Sequence, residues 1–146
     1  TKVGAILSNN ETKEKEALEF YGKNLGLTFQ IADDTLDYNS ELKLFGKEIG
    51  NDFFEGKVTL PIILLNLKAN TEEKKDLKNC FLNYERSEAD FKSILGLIKK
   101  YDIINDCYLK AEYFIGLSSN SLSIFPDTKE KEILKKLTSF SLERNF

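Results

Sequence analysis

Apolar residues recur along the first third of the chain at spacings of three and four. Leu18, Tyr21, Leu25, Phe29, Ala32 and Leu36 form one stripe of a long helix that runs to about Tyr38. Gly22 and Gly26 lie inside it, where they weaken helix propensity and allow another helix to approach closely. Ahead of it, TKVGAIL reads as the tail of a helix, and Asn10 is the expected N-cap of the long one. The periodicity then stops. NSELKLFGKEIGNDFFEGKVTL, residues 39 to 60, holds Gly46, Gly50 and Gly56 and reads as a loop with a short turn of helix. Thr59 with Pro61 two residues on marks the next start. That helix, about 60 to 69, is apolar nearly all round and is expected to be buried.

Further helices follow. One is expected from a Thr71 cap with acids in its first turn. Ser87 to Asp90 resembles a capping box and opens a helix to about Lys100. Another runs from about Asp102 to Ser119, and Pro126-Asp127-Thr128 caps a last one over Lys129 to Leu142. No strand-like alternation persists, so the fold class is all-α, with the 146 residues in one domain.

Composition narrows the function. The net charge is −3, with lysines interspersed among carboxylates, which indicates neither a nucleic-acid stripe nor a basic membrane patch. Histidine is absent, so neither an imidazole base nor a zinc site is expected. Cys80 and Cys107 stand 27 apart, which is neither a metal motif nor a disulfide framework, and a reduced cytosolic setting fits. The longest apolar run, LPIILL at 60 to 65, is too short to cross a bilayer, and no signal peptide is read. Methionine is also absent, so Thr1 is not an ordinary translation start and a piece of a longer protein is expected.

The candidate chemistry lies in FQIADDTLDY, residues 29 to 38. At about 100° per residue, Gln30, Asp33, Asp34 and Asp37 share one helix face, opposite Leu25, Phe29, Ala32 and Leu36. A solvated face is the plain alternative. Against it, Leu27 and Ile31 flank the stripe, and no Lys or Arg stands at i±3 or i±4 of the aspartates to relieve their repulsion. The loop that follows supplies Lys47 and Lys57, both beside glycines. Clustered carboxylates suit a hard cation. Mg²⁺ takes one or two of them, keeps waters and shares its other positions with substrate phosphates. The lysines would then serve as counter-charges to phosphate oxygens. An EF-hand and a P-loop are both excluded, the first by its missing alternating ligands and glycine, the second by spacing.

GLTFQIADDTLDY resembles the second aspartate-rich motif of the trans-type polyprenyl diphosphate synthases. FGKEIGNDFFEGKVTLP is similar to the segment that follows it in that family, and FPDTKEKEILKKLTSFSLER resembles the family's closing helix. The form of the Glu-Gly-Lys segment is most similar to bacterial long-chain members such as octaprenyl diphosphate synthase of quinone side-chain synthesis. The resemblance implies the C-terminal part of a single polyprenyl synthetase domain, an isoprenoid-synthase-type helical bundle around a central cavity. It implies a transferase that ionises an allylic diphosphate and adds isopentenyl diphosphate repeatedly. By motif position Asp33 and Asp34 would hold Mg²⁺, with Asp37 behind them or acting through water. Gln30, Lys47 and Lys57 would touch the allylic diphosphate, and Asp52 would orient a lysine or the loop.

The family's first aspartate-rich motif and the residues that hold isopentenyl diphosphate do not occur in these residues. The expectation is therefore that the chain alone does not elongate and exposes apolar faces, partly molten or self-associated. Full length, a homodimer in the cytoplasm or peripheral to the membrane is implied. The alternatives are a non-catalytic subunit that complements an N-terminal half, and the relic of a split gene. Terpene cyclases share the ionisation chemistry, but DDTLD argues against their usual second metal motif.

Overall fold

The computed structural model describes residues 2–7, 11–39 and 49–143, the side chains of Lys2 and of residues 141–143 excepted. Among the described residues every regular element is helical, in agreement with the all-α expectation. The α-helices are α1 (Lys2–Leu7), α2 (Thr12–Leu36), α3 (Asn51–Glu55), α4 (Leu60–Lys68), α5 (Thr71–Leu82), α6 (Glu88–Lys100), α7 (Ile103–Ser121) and α8 (Lys129–Glu143). A 3₁₀ turn, Leu122–Ile124, leads from α7 towards α8. The N-cap expected at Asn10 lies outside the described residues.

Two compact units emerge, Asp33–Tyr108 and the pair of segments Thr1–Ala32 and Leu109–Phe146. In the two-segment unit, Tyr21, Leu25 and Leu122 form the core, with Leu18, Phe29, Phe125 and Leu134 packed on it. Tyr21 is fully buried, and its hydroxyl donates to the Leu134 carbonyl at 2.9 Å. The Ser118 hydroxyl donates to the Tyr21 carbonyl at 3.0 Å, so α2 and α7 are tied where their backbones come close. Buried Lys131 places its ammonium on the Phe125 carbonyl at 2.7 Å and on Asp127 at 2.9 Å. A buried amine is tolerated when its donors are engaged in this way. Thr128 caps α8 through the Lys131 N–H, as its sequence suggests.

In the unit Asp33–Tyr108, a cluster of phenylalanine rings takes the place of that mixed leucine and aromatic core. The Phe53 ring stands 5.2 Å from Phe91, 5.6 Å from Phe81 and 5.3 Å from Phe54, in tilted and edge-on arrangements. Such geometry adds to simple area burial because ring edges and faces carry opposite partial charge. Helix α4 packs against α6. Ser87 and Asp90 form the expected capping box at the start of α6. For α5 the cap is Asn70, one residue before the expected Thr71. Asn70 wins because Glu73 then falls at the third helical position and closes a reciprocal box onto the Asn70 N–H. Helix α4 begins after Thr59 with Pro61 in its first turn, as expected. Its burial is one-sided, however: Ile62 and Leu65 are buried, whereas Ile63 and Leu67 are exposed.

Candidate functional site

The three aspartates near the end of α2 occupy three different environments within the unit Asp33–Tyr108. Asp33 is exposed. Asp34 is buried, with 9% of its surface accessible. Asp37 lies in the turn that ends α2 and is half-buried. Its Oδ1 accepts the backbone N–H groups of Gly50 and Asn51 at 3.1 Å each, and its Oδ2 accepts that of Asp52 at 2.7 Å. The Gly50 N–H also reaches the Asp37 carbonyl at 2.9 Å. Helix α3 would otherwise begin with unsatisfied donors, and a carboxylate there both pairs them and faces the positive end of the helix dipole. The carboxylate thus fixes the start of α3 against the end of α2.

Glycine is required at both ends of α3. Gly50 has φ 94°, and a Cβ there would meet the Phe91 ring at 2.7 Å. Gly56 has φ 77° and lies against the Arg86 guanidinium. Arg86 Nε donates to the Phe53 carbonyl at 2.7 Å, and its Nη1 to the Asn83 carbonyl at 2.6 Å. The arginine thereby closes the C-terminal end of α3, which Gly56 turns in the left-handed conformation that favours glycine.

Lys57 follows directly. Its ammonium donates to Asp52 Oδ1 at 3.0 Å and pairs with Glu55 Oε2 at 2.6 Å. Its backbone N–H reaches the Asp52 carbonyl at 2.8 Å. The hydrogen bonds from Glu55 and Asp52 hold the Lys57 ammonium well above its ordinary pKa, so it stays a cation throughout the neutral range. Asp52 therefore orients a lysine, the role its position suggested. The side chain of Lys57 is 55% exposed.

Beneath these groups Tyr38 is fully buried and stacks near Phe91, 6.2 Å between centroids. Burial pushes its phenol up. The neighbouring Thr59 hydroxyl acts in the opposite direction, and the Asp37, Asp52 and Asp34 charges add to the rise. The two hydroxyls are not in hydrogen-bonding geometry, and both oxygens are buried without a partner among the described residues. Cys107 is buried as well. Desolvation raises its thiol to about 11, with Thr35 opposing and Asp106 and Asp34 reinforcing, so it is inert as a nucleophile.

Among the residues expected in the site, Asp33, Asp34, Asp37 and Lys57 belong to this unit. Gln30 is exposed on α2, one turn earlier and in the other unit. Lys47 lies outside the described residues. Sequence reasoning passed over Arg86 and Tyr38 and read Thr59 only as the start of a helix. Gly56 carried a signal for Arg86, since a glycine closing a helix invites a donor to the last carbonyls. Nothing in the sequence ties Tyr38 to Thr59. Among the described residues no three His, Cys, Asp or Glu side chains converge to hold a metal by themselves.

Residues 1–98 match the model of the family described as polyprenyl synthetase. The chain belongs to the polyprenyl synthetase family. That span takes in the α2 aspartates, α3 and Lys57. The chain is 26% identical over 145 residues to octaprenyl diphosphate synthase of Haemophilus influenzae, covering 99% of this chain and 44% of the relative. It is 32% identical to heptaprenyl diphosphate synthase component 2 of Bacillus subtilis, covering 99% and 40%. Among solved structures, it is similar to the polyprenyl synthase of Caulobacter crescentus complexed with calcium and isoprenyl diphosphate, with a TM-score of 0.86 and 33% identity over 99% of this chain and 44% of that one. The chain thus spans less than half the length of the relatives it matches, and it has the all-α fold of the corresponding part of polyprenyl synthases.

Proposed function

We propose that the chain is the C-terminal part of one polyprenyl synthetase domain of a chain-elongating prenyltransferase. The whole enzyme would condense an allylic diphosphate with isopentenyl diphosphate to a long-chain polyprenyl diphosphate. The observation that carries this reading is the division of labour among the carboxylates. Asp37 accepts three backbone N–H groups at the start of α3, and beside it Asp33 and Asp34, exposed and buried respectively, are the carboxylates assigned to a cation by motif position. Two hard oxygen donors fit Mg²⁺, which expects its remaining positions to come from water and phosphate. When bound, the ion would neutralise charge developing on a leaving diphosphate. The relative complexed with calcium and isoprenyl diphosphate supports the same ligand chemistry.

The chain's own residues then act as follows. Asp33, exposed on the last turn of α2, presents oxygens outward. Asp34, set deeper, supplies a second set from the same turn. Lys57, tethered by Asp52 and Glu55, offers a fixed positive charge to a phosphate oxygen. Gln30 and Lys47 join it as diphosphate contacts by motif position. Asp37 acts behind them, through the backbone it holds.

A second reading has one observation in its favour. Val3, Ile6 and Leu7 of α1 are exposed, and such a surface suits a complementing polypeptide. In that reading a separate N-terminal half or a homologous subunit supplies the other motif. In the first, the full-length protein works as a homodimer. The deciding experiment assays the chain with Mg²⁺, farnesyl diphosphate and labelled isopentenyl diphosphate, alone and within its whole polypeptide. The expected result is elongation only in the whole enzyme, lost about 10²- to 10³-fold in Asp33→Ala with an unchanged melting temperature. Near-normal turnover in Asp33→Ala overturns the site assignment.

A further inference from the structure

Lys57 carries two carboxylates at once, and the two are held unequally. Asp52 is the inner partner. Its Oδ1 accepts from the Lys57 ammonium at 3.0 Å, and 20% of its side chain is accessible. Its backbone is fixed on both sides: its N–H donates to Asp37 Oδ2 at 2.7 Å, and its carbonyl accepts from the Lys57 N–H at 2.8 Å. Glu55 is the outer partner. Its Oε2 stands 2.6 Å from the same ammonium, but 60% of its side chain faces water. Among the described residues its carboxylate has no partner other than Lys57.

Glu55 does little for its own helix. It is the last residue of α3, where the helix dipole disfavours an acid, and an exposed ion pair adds little to stability. The backbone around it is confined. Gly56 lies against the Arg86 guanidinium, and Arg86 in turn holds the Phe53 carbonyl at 2.7 Å. The Glu55 side chain, by contrast, can rotate into solvent at the loss of the Lys57 contact alone. An ammonium has three donors, and carboxylate and phosphate oxygens are both anionic acceptors for them. A phosphate oxygen that arrives at Lys57 therefore competes with Glu55 for the ammonium and is repelled by its charge.

We propose that Glu55 is an exchangeable counter-ion of Lys57: its carboxylate engages the ammonium when no diphosphate is bound and gives way to a phosphate oxygen, while Asp52 keeps hold. The inference rests on the reading of Lys57 as a diphosphate contact and deepens it. Because Asp52 alone orients the lysine, the net effect of Glu55 is to oppose the anion. It limits how tightly Lys57 grips the diphosphate and so favours release of diphosphate after transfer. Glu55 is a positioning residue that acts through Lys57.

The test is made on the whole polypeptide by titration calorimetry, with inorganic diphosphate and Mg²⁺ as the probe. Glu55→Gln keeps the length and polarity of the side chain and removes its charge. It should tighten diphosphate binding by about two- to fivefold, the range of an exposed ion pair. Lys57→Gln should weaken binding at least about tenfold. In the Lys57→Gln background the gain from Glu55→Gln should vanish, because the two side chains act as one unit. In the elongation assay Glu55→Gln should lower KM for the allylic diphosphate without raising kcat. Both side chains are more than half exposed, so the variants keep the helical circular dichroism of wild type. A pair with a purely structural role would not tighten binding when broken. Unchanged or weakened binding in Glu55→Gln, while Lys57→Gln still loses affinity, overturns the exchange and leaves the diphosphate role of Lys57 standing. The same gain in the Lys57→Gln background also overturns it, and reduces Glu55 to general repulsion. If Lys57→Gln binds diphosphate as wild type does, the reading of Lys57 falls and the exchange with it.

Discussion

At the centre of Asp33–Tyr108, four phenylalanine rings meet around a helix of five residues whose two ends are closed by glycines. In the other unit the centre is Tyr21, Leu25 and Leu122, packed by long helices with ordinary stripes. A long helix carries its own backbone hydrogen bonds and needs only an apolar face to be held. A five-residue helix between two turns cannot stand that way. It has to be fastened at each end by groups from elsewhere, here Asp37 at the start and Arg86 at the finish. The contrast explains why the candidate chemistry sits where it does. A lysine proposed to face a diphosphate is positioned more firmly by an irregular segment clamped at both ends than by a free loop.

The largest expected structural effect tests the aromatic centre. Phe91→Ala removes the ring that meets Phe53, Phe54 and Tyr38 and should cost about 3–5 kcal/mol. Guanidinium unfolding measures it. A cost under about 1 kcal/mol would mean that the cluster can collapse onto the space, and the distinction between the two centres would lose its force. Gly50→Ala comes next. The left-handed backbone and the approach to Phe91 add, for a cost of about 2–4 kcal/mol, by the same measurement.

Asp37 and Asp33 divide more finely. Asp37→Ala removes the acceptor of the Asn51 and Asp52 N–H groups, while the Gly50 N–H keeps the Asp37 carbonyl, and should cost about 1–2 kcal/mol, the range of a lost helix cap. Asp33→Ala, at an exposed position, should stay within about 0.5 kcal/mol while, on the proposed reading, cutting turnover of the whole enzyme about 10²- to 10³-fold. Equal stability losses in the two variants would remove the separation between the aspartate that builds the site and the one that serves it.

Much of this was legible in the sequence, and the part that was not has a common cause. The long helix, the Ser87–Asp90 box and the Pro61 start all depend on residues within four positions of one another. The same holds for the carboxylate stripe itself. The fastening of α3 does not. Asp37 finds its donors 13 to 15 residues later, and Arg86 reaches a carbonyl 33 residues earlier. The one-sided exposure of α4 was hidden for a related reason. An all-apolar run says nothing about which neighbour covers which side, and Ile63 and Leu67 border an open groove beside α5 instead of a core.

The smallest effect compares one ion pair from each unit. Glu73 is held by Lys100, by the Tyr101 hydroxyl and by the Asn70 N–H, which bring its carboxyl down to about 2 from an ordinary 4.5. Asp127, also lowered by Lys131, is 96% exposed, and Lys131 keeps the Phe125 carbonyl without it. A carboxylate whose pKa falls on folding contributes stability above its unfolded pKa and loses it as protons are added. For Glu73 the contribution should be full above about pH 4.5 and fade as the pH falls towards 2. Glu73→Gln should therefore be less stable than wild type at neutral pH and converge with it in acid. Asp127→Asn should track wild type closely at every pH, because an exposed pair contributes little and its cation has another acceptor. Melting temperatures of the three proteins from about pH 7 to about pH 2.5 make the comparison. If the deficit of Glu73→Gln persists unchanged into acid, its origin is the geometry of the α5 cap and the Tyr101 hydrogen bond, and the charge on Glu73 is incidental.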